Sequence, residues 1–252
     1  MRNLTFIALW LLPALSWADD LWLSASTAQG SSNGSRFAAS RTLDSFGLKG
    51  SLAGISHSRI GDSWWTLLEG GLNRRIGDSA VVSGSLFAGP GQIDGRTFTT
   101  RKLVVGGTWL IDQSWSADLS DTYINIDDTI GHVVSASVNY ARPTGSSLSF
   151  NAISSLGSGL DTRQFGLRFR IAAERSWFGG VYVGETGSPA TLGEFGVTTS
   201  GNVVDVSQAY VGLSVPLGSY TIMGTFDYLR LDSRNRHELT VVLKIPLGSA
   251  SR

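Results

Sequence analysis

The stretch Gln164-Phe165-Gly166-Leu167-Arg168-Phe169-Arg170-Ile171 alternates strictly: Phe165, Leu167, Phe169 and Ile171 share one face of a strand, and Gly166, Arg168 and Arg170 share the other. A soluble sheet with one buried face can read the same way. Repetition decides between the two, because similar segments of about ten residues recur from Asp20 to Leu247, parted by turn residues and with no helical periodicity between them. Lipid on one side of a wall and a polar lumen on the other would impose this pattern, and only closed barrels satisfy the backbone in lipid by strands.

The first eighteen residues read as an export signal. Arg2 supplies a positive start, Leu4 to Leu15 a short apolar core, and Ser16-Trp17-Ala18 a small-residue cleavage site, so that a mature barrel domain would span 19–252. That apolar run is shorter than the ~20 residues a spanning helix needs, and no later stretch of the sequence reaches that length either. Zero cysteines exclude a disulfide framework and thiolate chemistry. With 20 basic and 20 acidic residues the formal charge is zero, which leaves no electrostatic footprint for nucleic acid. The mean hydropathy of +0.07 is unremarkable, as alternation requires, because each lipid-facing residue is cancelled by its lumen-facing neighbour.

Clusters of Gly, Asp, Asn, Ser and Pro place strands near 20–29, 35–42, 46–57, 62–75, 79–88, 97–110, 114–124, 130–141, 146–154, 162–173, 176–185, 206–215, 219–230 and 236–247. The fold class expected is all-β, a transmembrane antiparallel up-and-down barrel of about fourteen strands, an even number that leaves both chain ends on the periplasmic side. Tight connections such as Gly77-Asp78 and Pro216-Leu217-Gly218 alternate with longer ones at 89–95, 124–129, 155–161, 186–205 and 231–235. Short periplasmic turns and longer extracellular loops would produce that alternation. The segment 186–205 is the longest, and a loop of that length folding over the barrel mouth could control passage.

Aromatic residues fall at two heights. Trp109, Trp115, Tyr140, Trp177 and Tyr220 lie beside the tight turns, and Trp64, Tyr123 and Tyr228 beside the longer connections, as two interfacial girdles would. Lipid-facing sets include Val134, Ala136 and Val138, and Leu239, Val241, Leu243 and Ile245. The opposite parity assigns Glu69, Lys102, Asp118, Arg168, Arg170, Asp227, Glu238 and Lys244 to a polar lumen of both signs. Such charges either pair across the lumen and narrow it or line an aqueous pore, depending on register.

Four stretches carry a family resemblance: Leu103-Val104-Val105-Gly106-Gly107-Thr108-Trp109, Trp115-Ser116-Ala117-Asp118-Leu119-Ser120-Asp121-Thr122-Tyr123, Gly166-Leu167-Arg168-Phe169-Arg170, and Val181-Tyr182-Val183-Gly184-Glu185-Thr186-Gly187-Ser188-Pro189. In their order the chain resembles the YaiO-like outer-membrane barrels, a family similar to the barrel portions of some exopolysaccharide-export proteins. The resemblance implies an accessory role in saccharide export as one function. It departs in running past Leu247 into Gly248-Ser249-Ala250-Ser251-Arg252 without a terminal aromatic.

Catalytic signals are absent from the sequence. His57 and His132 are followed two positions on by Arg59 and Val134, so neither forms the His-x-Ser arrangement of lipid A deacylases, and His237 and its neighbour Glu238 point to opposite faces. Asp127-Asp128 offers hard oxygen ligands but no further ligand at metal spacing. The glycine-rich run 184–196 opens no helix and lacks a phosphate-binding lysine. The reading is therefore a structural or narrow-pore outer-membrane barrel with no cofactor and no metal, against the alternative of a lipid-modifying enzyme. Its expected partners are outer-membrane lipid, lipopolysaccharide and the barrel-assembly machinery.

Overall fold

The computed structural model describes residues 20–30, 33–45, 48–93, 95–126, 129–156, 161–186, 203–232 and 234–247; side chains of 43–52 are outside that description. Its regular structure consists of fourteen strands: β1 (Asp20–Gly30), β2 (Gly34–Ser45), β3 (Leu48–Ile60), β4 (Ser63–Ile76), β5 (Ala80–Ile93), β6 (Arg96–Leu110), β7 (Trp115–Ile126), β8 (Thr129–Ala141), β9 (Ser147–Leu156), β10 (Thr162–Ile171), β11 (Ser176–Thr186), β12 (Val204–Leu217), β13 (Tyr220–Leu231) and β14 (Arg234–Pro246). Each pairs antiparallel with its sequence neighbours, and β1 pairs with β14 over the full register from Asp20↔Pro246 to Gly30↔Arg236, closing the barrel. No edge is left to expose unpaired backbone groups. The shortest strands, at 10 residues, extend about 33 Å and, at the tilt usual for such barrels, cover about 25 Å along the axis, the height of an apolar bilayer band.

Both ends of the described chain, Asp20 and Leu247, lie at one end of the barrel, the turn end; Thr186 of β11 and Val204 of β12 lie at the other, the loop end. At the turn end the links are tight. Gly77 adopts φ 60°, a left-handed conformation that glycine reaches without a Cβ clash, and Arg75 closes over it, donating to the Gly77 and Asp78 carbonyls. Asp112 caps the next turn by accepting from the Ser114 and Trp115 amides.

At the loop end the strands run further than the turn residues suggest. The largest difference is β5, which continues through Gly89-Pro90-Gly91 to Ile93 and pairs with β6 throughout. The β4 ladder lapses opposite Gly89 and Pro90, where a prolyl nitrogen has no hydrogen to donate. Gly89 itself passes so close to the Thr66 carbonyl that no side chain fits there. The connections expected at 89–95, 124–129 and 231–235 shrink to the residues between Ile93 and Arg96, Ile126 and Thr129, and Leu231 and Arg234. The segments 157–160 and 187–202, with Asp127-Asp128, the rest of the glycine-rich run beyond Thr186, and the signal over 1–18, lie outside the described residues.

The distribution of apolar side chains is inverted relative to a soluble domain. Phe165 and Ile171 are 55% and 54% exposed, Leu167 and Phe169 share their face, and Phe150 of β9 stacks on Phe165 at 6.5 Å. The same outward face carries Val105, Val138, Val211, Leu239 and Val241. An apolar exterior this continuous is stable only against lipid.

Inside the seam, Lys244 Nζ lies 2.9 Å from Asp20 Oδ2 and 5.4 Å above the Trp22 ring, whose indole donates to Thr42. These contacts tie the first strand, the last strand and β2 together across the closure.

Two outcomes follow from this architecture. Leu167→Arg, in the middle of β10 on the lipid face, should lower the unfolding free energy measured by urea titration in lipid vesicles by about 2–4 kcal/mol, whereas Arg168→Gln on the inner face should escape that lipid-transfer cost; the folded protein should also migrate differently in gels before and after boiling. At the seam, Lys244→Glu should cost about 1 kcal/mol by facing Asp20 with a like charge, and adding Asp20→Lys should restore the loss in the same titration.

Candidate functional site: the barrel lumen

The barrel encloses a cavity of about 920 Å³. Four of the residues assigned to the lumen from parity, Glu69, Lys102, Arg168 and Asp227, line it, joined by Arg36 of β2, Gln164, Gln208 and the aromatic residues Phe87, Phe178, Tyr182 and Tyr210. Arg168 is both inward-facing and exposed, so water reaches the inner wall at its position. Lys102 lies 5.0 Å over the Phe87 ring, and Asp227 accepts a 2.7 Å hydrogen bond from Gln208 on β12.

Three of the other assigned residues, Asp118, Glu238 and Lys244, are drawn into the wall. Asp118 accepts from Ser137 at 2.7 Å, from Asn139 at 2.6 Å and from Thr108, which stitches β6, β7 and β8 together on the inner face. Glu238 pairs at 2.7 Å with Arg236, both side chains largely shielded from water. Lys244 is committed to Asp20 at the seam. Arg170 follows Arg168 on the inner face of β10, toward the turn end, and is exposed.

The interior is not polar throughout, as parity of the charged residues suggests. At the loop end, Trp65, Leu67, Phe98, Ile124 and Ile126 point inward and are at most 8% exposed, with Ile60, Ile93 and Val133 packed against them. Eight residues of β3 to β8 thus form an apolar cushion on one side of the lumen. In this region both faces of the strands are apolar, as in Trp64-Trp65 and Tyr123-Ile124, so alternation alone cannot assign the inner one. The position of Trp65 was available from its neighbour: if Trp64 faces out beside Thr66 and Leu68, Trp65 must face in.

All eight residues of the expected girdles project from the outer face. Trp109, Trp177 and Tyr220 stand near strand ends at the turn end, where Trp115 and Tyr140 pair across β7 and β8 with rings 5.0 Å apart. At the loop end Trp64 donates to Gln92 at 2.9 Å. The three histidines join this second girdle on the outer face. His57 stacks near Trp64 at 6.2 Å, His132 sits 5.4 Å from Tyr123, and His237 sits 5.1 Å from Tyr228. Each lies three residues inside the loop end of its strand. His132 Nδ1 is also 2.9 Å from Asp121 Oδ2, a pair on the lipid-side surface rather than in the cavity.

The inner wall of β10 to β12 contains a feature that sequence reasoning passed over. Tyr182 covers Gly166, Tyr210 covers Gly180 and Phe178 covers Gly212, each ring occupying the space a Cβ on the neighbouring strand's glycine would need. The rings therefore lie flat on the wall instead of standing into the lumen, and the cavity stays open despite them. The signal was present as inward glycines at 166, 180 and 212, but only the register shows which aromatic faces each one.

No protein-family model matches the chain, and no curated protein sequence matches it. Its fold is similar to solved outer-membrane barrels. A KdgM porin superposes with a TM-score of 0.51 at 8% identity, covering 88% of this chain and 97% of that one, and has a companion structure in complex with disordered oligogalacturonate. A bacterial polysaccharide outer membrane secretin gives 0.52 at 11% identity over 91% and 98% of the two chains. The CymD monoaromatic hydrocarbon channel gives 0.54 at 6% identity over 91% and 88%. At these identities the likeness establishes the architecture alone: this chain folds as a closed fourteen-strand antiparallel barrel, the architecture of solved outer-membrane barrels.

Proposed function

We propose that the chain is a passive narrow-pore channel of the outer membrane, non-catalytic, with the turn end in the periplasm and the loop end outside. The observation that carries this reading is the cavity of about 920 Å³ inside a closed wall, lined by charged side chains of both signs, among which Arg168 is exposed to water. A barrel serving only as a wall or anchor has no use for an aqueous interior of that size. The apolar cushion around Trp65 and Phe98 narrows the outer half and favours selective passage over a wide, general pore.

Residues 1–18 would direct export through the general secretory route, and the assembly machinery would then insert the barrel. Lipopolysaccharide and the other outer-membrane lipids would pack on the apolar exterior between the two aromatic girdles.

A second reading keeps the same barrel but gives it a role in saccharide export. It is supported by the motif resemblance to YaiO-like barrels and by the fold shared with a polysaccharide outer membrane secretin and with a porin solved beside an oligogalacturonate.

Purified protein inserted into a planar lipid bilayer should give discrete conductance steps, and Trp65→Ala combined with Phe98→Ala should enlarge them by removing bulk from the cushion. Folded, heat-modifiable protein that inserts without conducting would refute the channel reading and leave a structural barrel.

A further inference from the structure

The β10–β12 wall presents two kinds of chemistry side by side. Phe178 and Tyr182 on β11 stand to either side of Tyr210 on β12, which is level with Gly180, so the three rings alternate along the two strands, each set against a glycine of the adjacent strand. Each is partly exposed and lines the cavity, so part of each ring is open to it. Next to them on β10, Arg168 and Arg170 project from the same inner face two residues apart, a spacing of about 7 Å along the strand. Both are exposed, and neither has an ion pair within 4.0 Å or a side-chain hydrogen bond among the described residues, Arg168 lying within electrostatic reach of the wall's Asp118. Arg36, on β2, lines the same cavity, likewise without such a partner among the described residues.

Flat aromatic faces are negative at their centres and apolar, which matches the C–H face of a sugar ring, whose hydrogens carry partial positive charge. Open guanidinium groups hold carboxylates by two parallel hydrogen bonds. A hydrocarbon would satisfy the rings but would have to strip water from the arginines without replacing it, a cost no apolar ligand repays. A small inorganic anion would use the arginines and leave the rings idle. A chain of pyranose units bearing carboxylates uses both, and its extended shape suits a strip of rings that runs along two strands.

We propose that Phe178, Tyr182 and Tyr210, flanked by Arg168 and Arg170, form a binding track for acidic oligosaccharides of the uronate type. The proposal rests on the channel reading and names the class of solute that the channel takes.

The test is interruption of single-channel current by a hexamer of galacturonate, compared with a neutral malto-oligosaccharide of equal length and with benzoate. The acidic hexamer should block at concentrations at least about tenfold lower than the neutral one, a difference of about 1.4 kcal/mol, and benzoate should not block. Tyr182→Ala with Tyr210→Ala should weaken the block by at least about tenfold, in protein shown to be folded by its heat-modified migration. Arg168→Gln with Arg170→Gln should abolish the preference for the acidic chain, in protein shown to be folded by its heat-modified migration. Equal block by both saccharides, block by benzoate alone, or variants that behave as the parent would overturn the track. Should the folded barrel conduct nothing, the channel reading fails, and calorimetry of the detergent-solubilised protein with the same hexamer decides the track on its own: binding lost in the tyrosine variant supports it, and no binding by the parent overturns it.

Discussion

The constraint on which everything else depends is the closure of the backbone hydrogen-bond ladder. In hydrocarbon each unpaired amide or carbonyl costs several kcal/mol, so a sheet can enter a bilayer only when its first and last strands meet. Here β14 pairs with β1 along the whole length of β1, and Asp20, Lys244, Trp22 and Thr42 brace the seam from inside. An open seam would present two edges to lipid. Closure also fixes parity around the ring: once one strand has its apolar residues outside, the register of each neighbour is bound to agree.

With parity fixed, the two faces of the wall take on opposite work. The outside is a lipid surface capped by aromatic girdles, and the histidines of the loop end belong to it, each against an aromatic partner. That placement removes His57, His132 and His237 from any chemistry within the cavity, although His132 and Asp121 are at hydrogen-bonding distance. The inside is divided. Some charges serve the wall itself, as Asp118 does with Thr108, Ser137 and Asn139, and others, Arg168 and Arg170 among them, face water.

Glycine controls how much of the interior remains open. A ring of the size of tyrosine standing radially inward would fill much of a narrow barrel. Inward glycines at 166, 180 and 212 let Tyr182, Tyr210 and Phe178 fold back onto the wall, which preserves the cavity and turns the rings into a surface. Across the lumen, the packed cushion of Trp65, Leu67, Phe98, Ile124 and Ile126 takes space back. Channel width is thus set by side-chain packing within the lumen as well as by strand number.

The strand number and the outward parity of the apolar residues of β10 and of the eight expected girdle residues were legible in the sequence, because a period of two is a local property that each segment carries alone. The inward parity of Glu69, Lys102, Arg168 and Asp227 was legible for the same reason. Local properties did not reach strand ends such as that of β5, where Gly89 and Pro90, residues that usually break a strand, stay in the ladder because only one neighbouring strand pairs with them. Nor did they distinguish Arg168, open to water, from Glu238, paired with Arg236, since neighbours across strands are set by register. Only the tertiary structure decided which ring lies over which glycine and where apolar side chains gather inside, because those contacts join residues far apart in the chain that closure brings side by side.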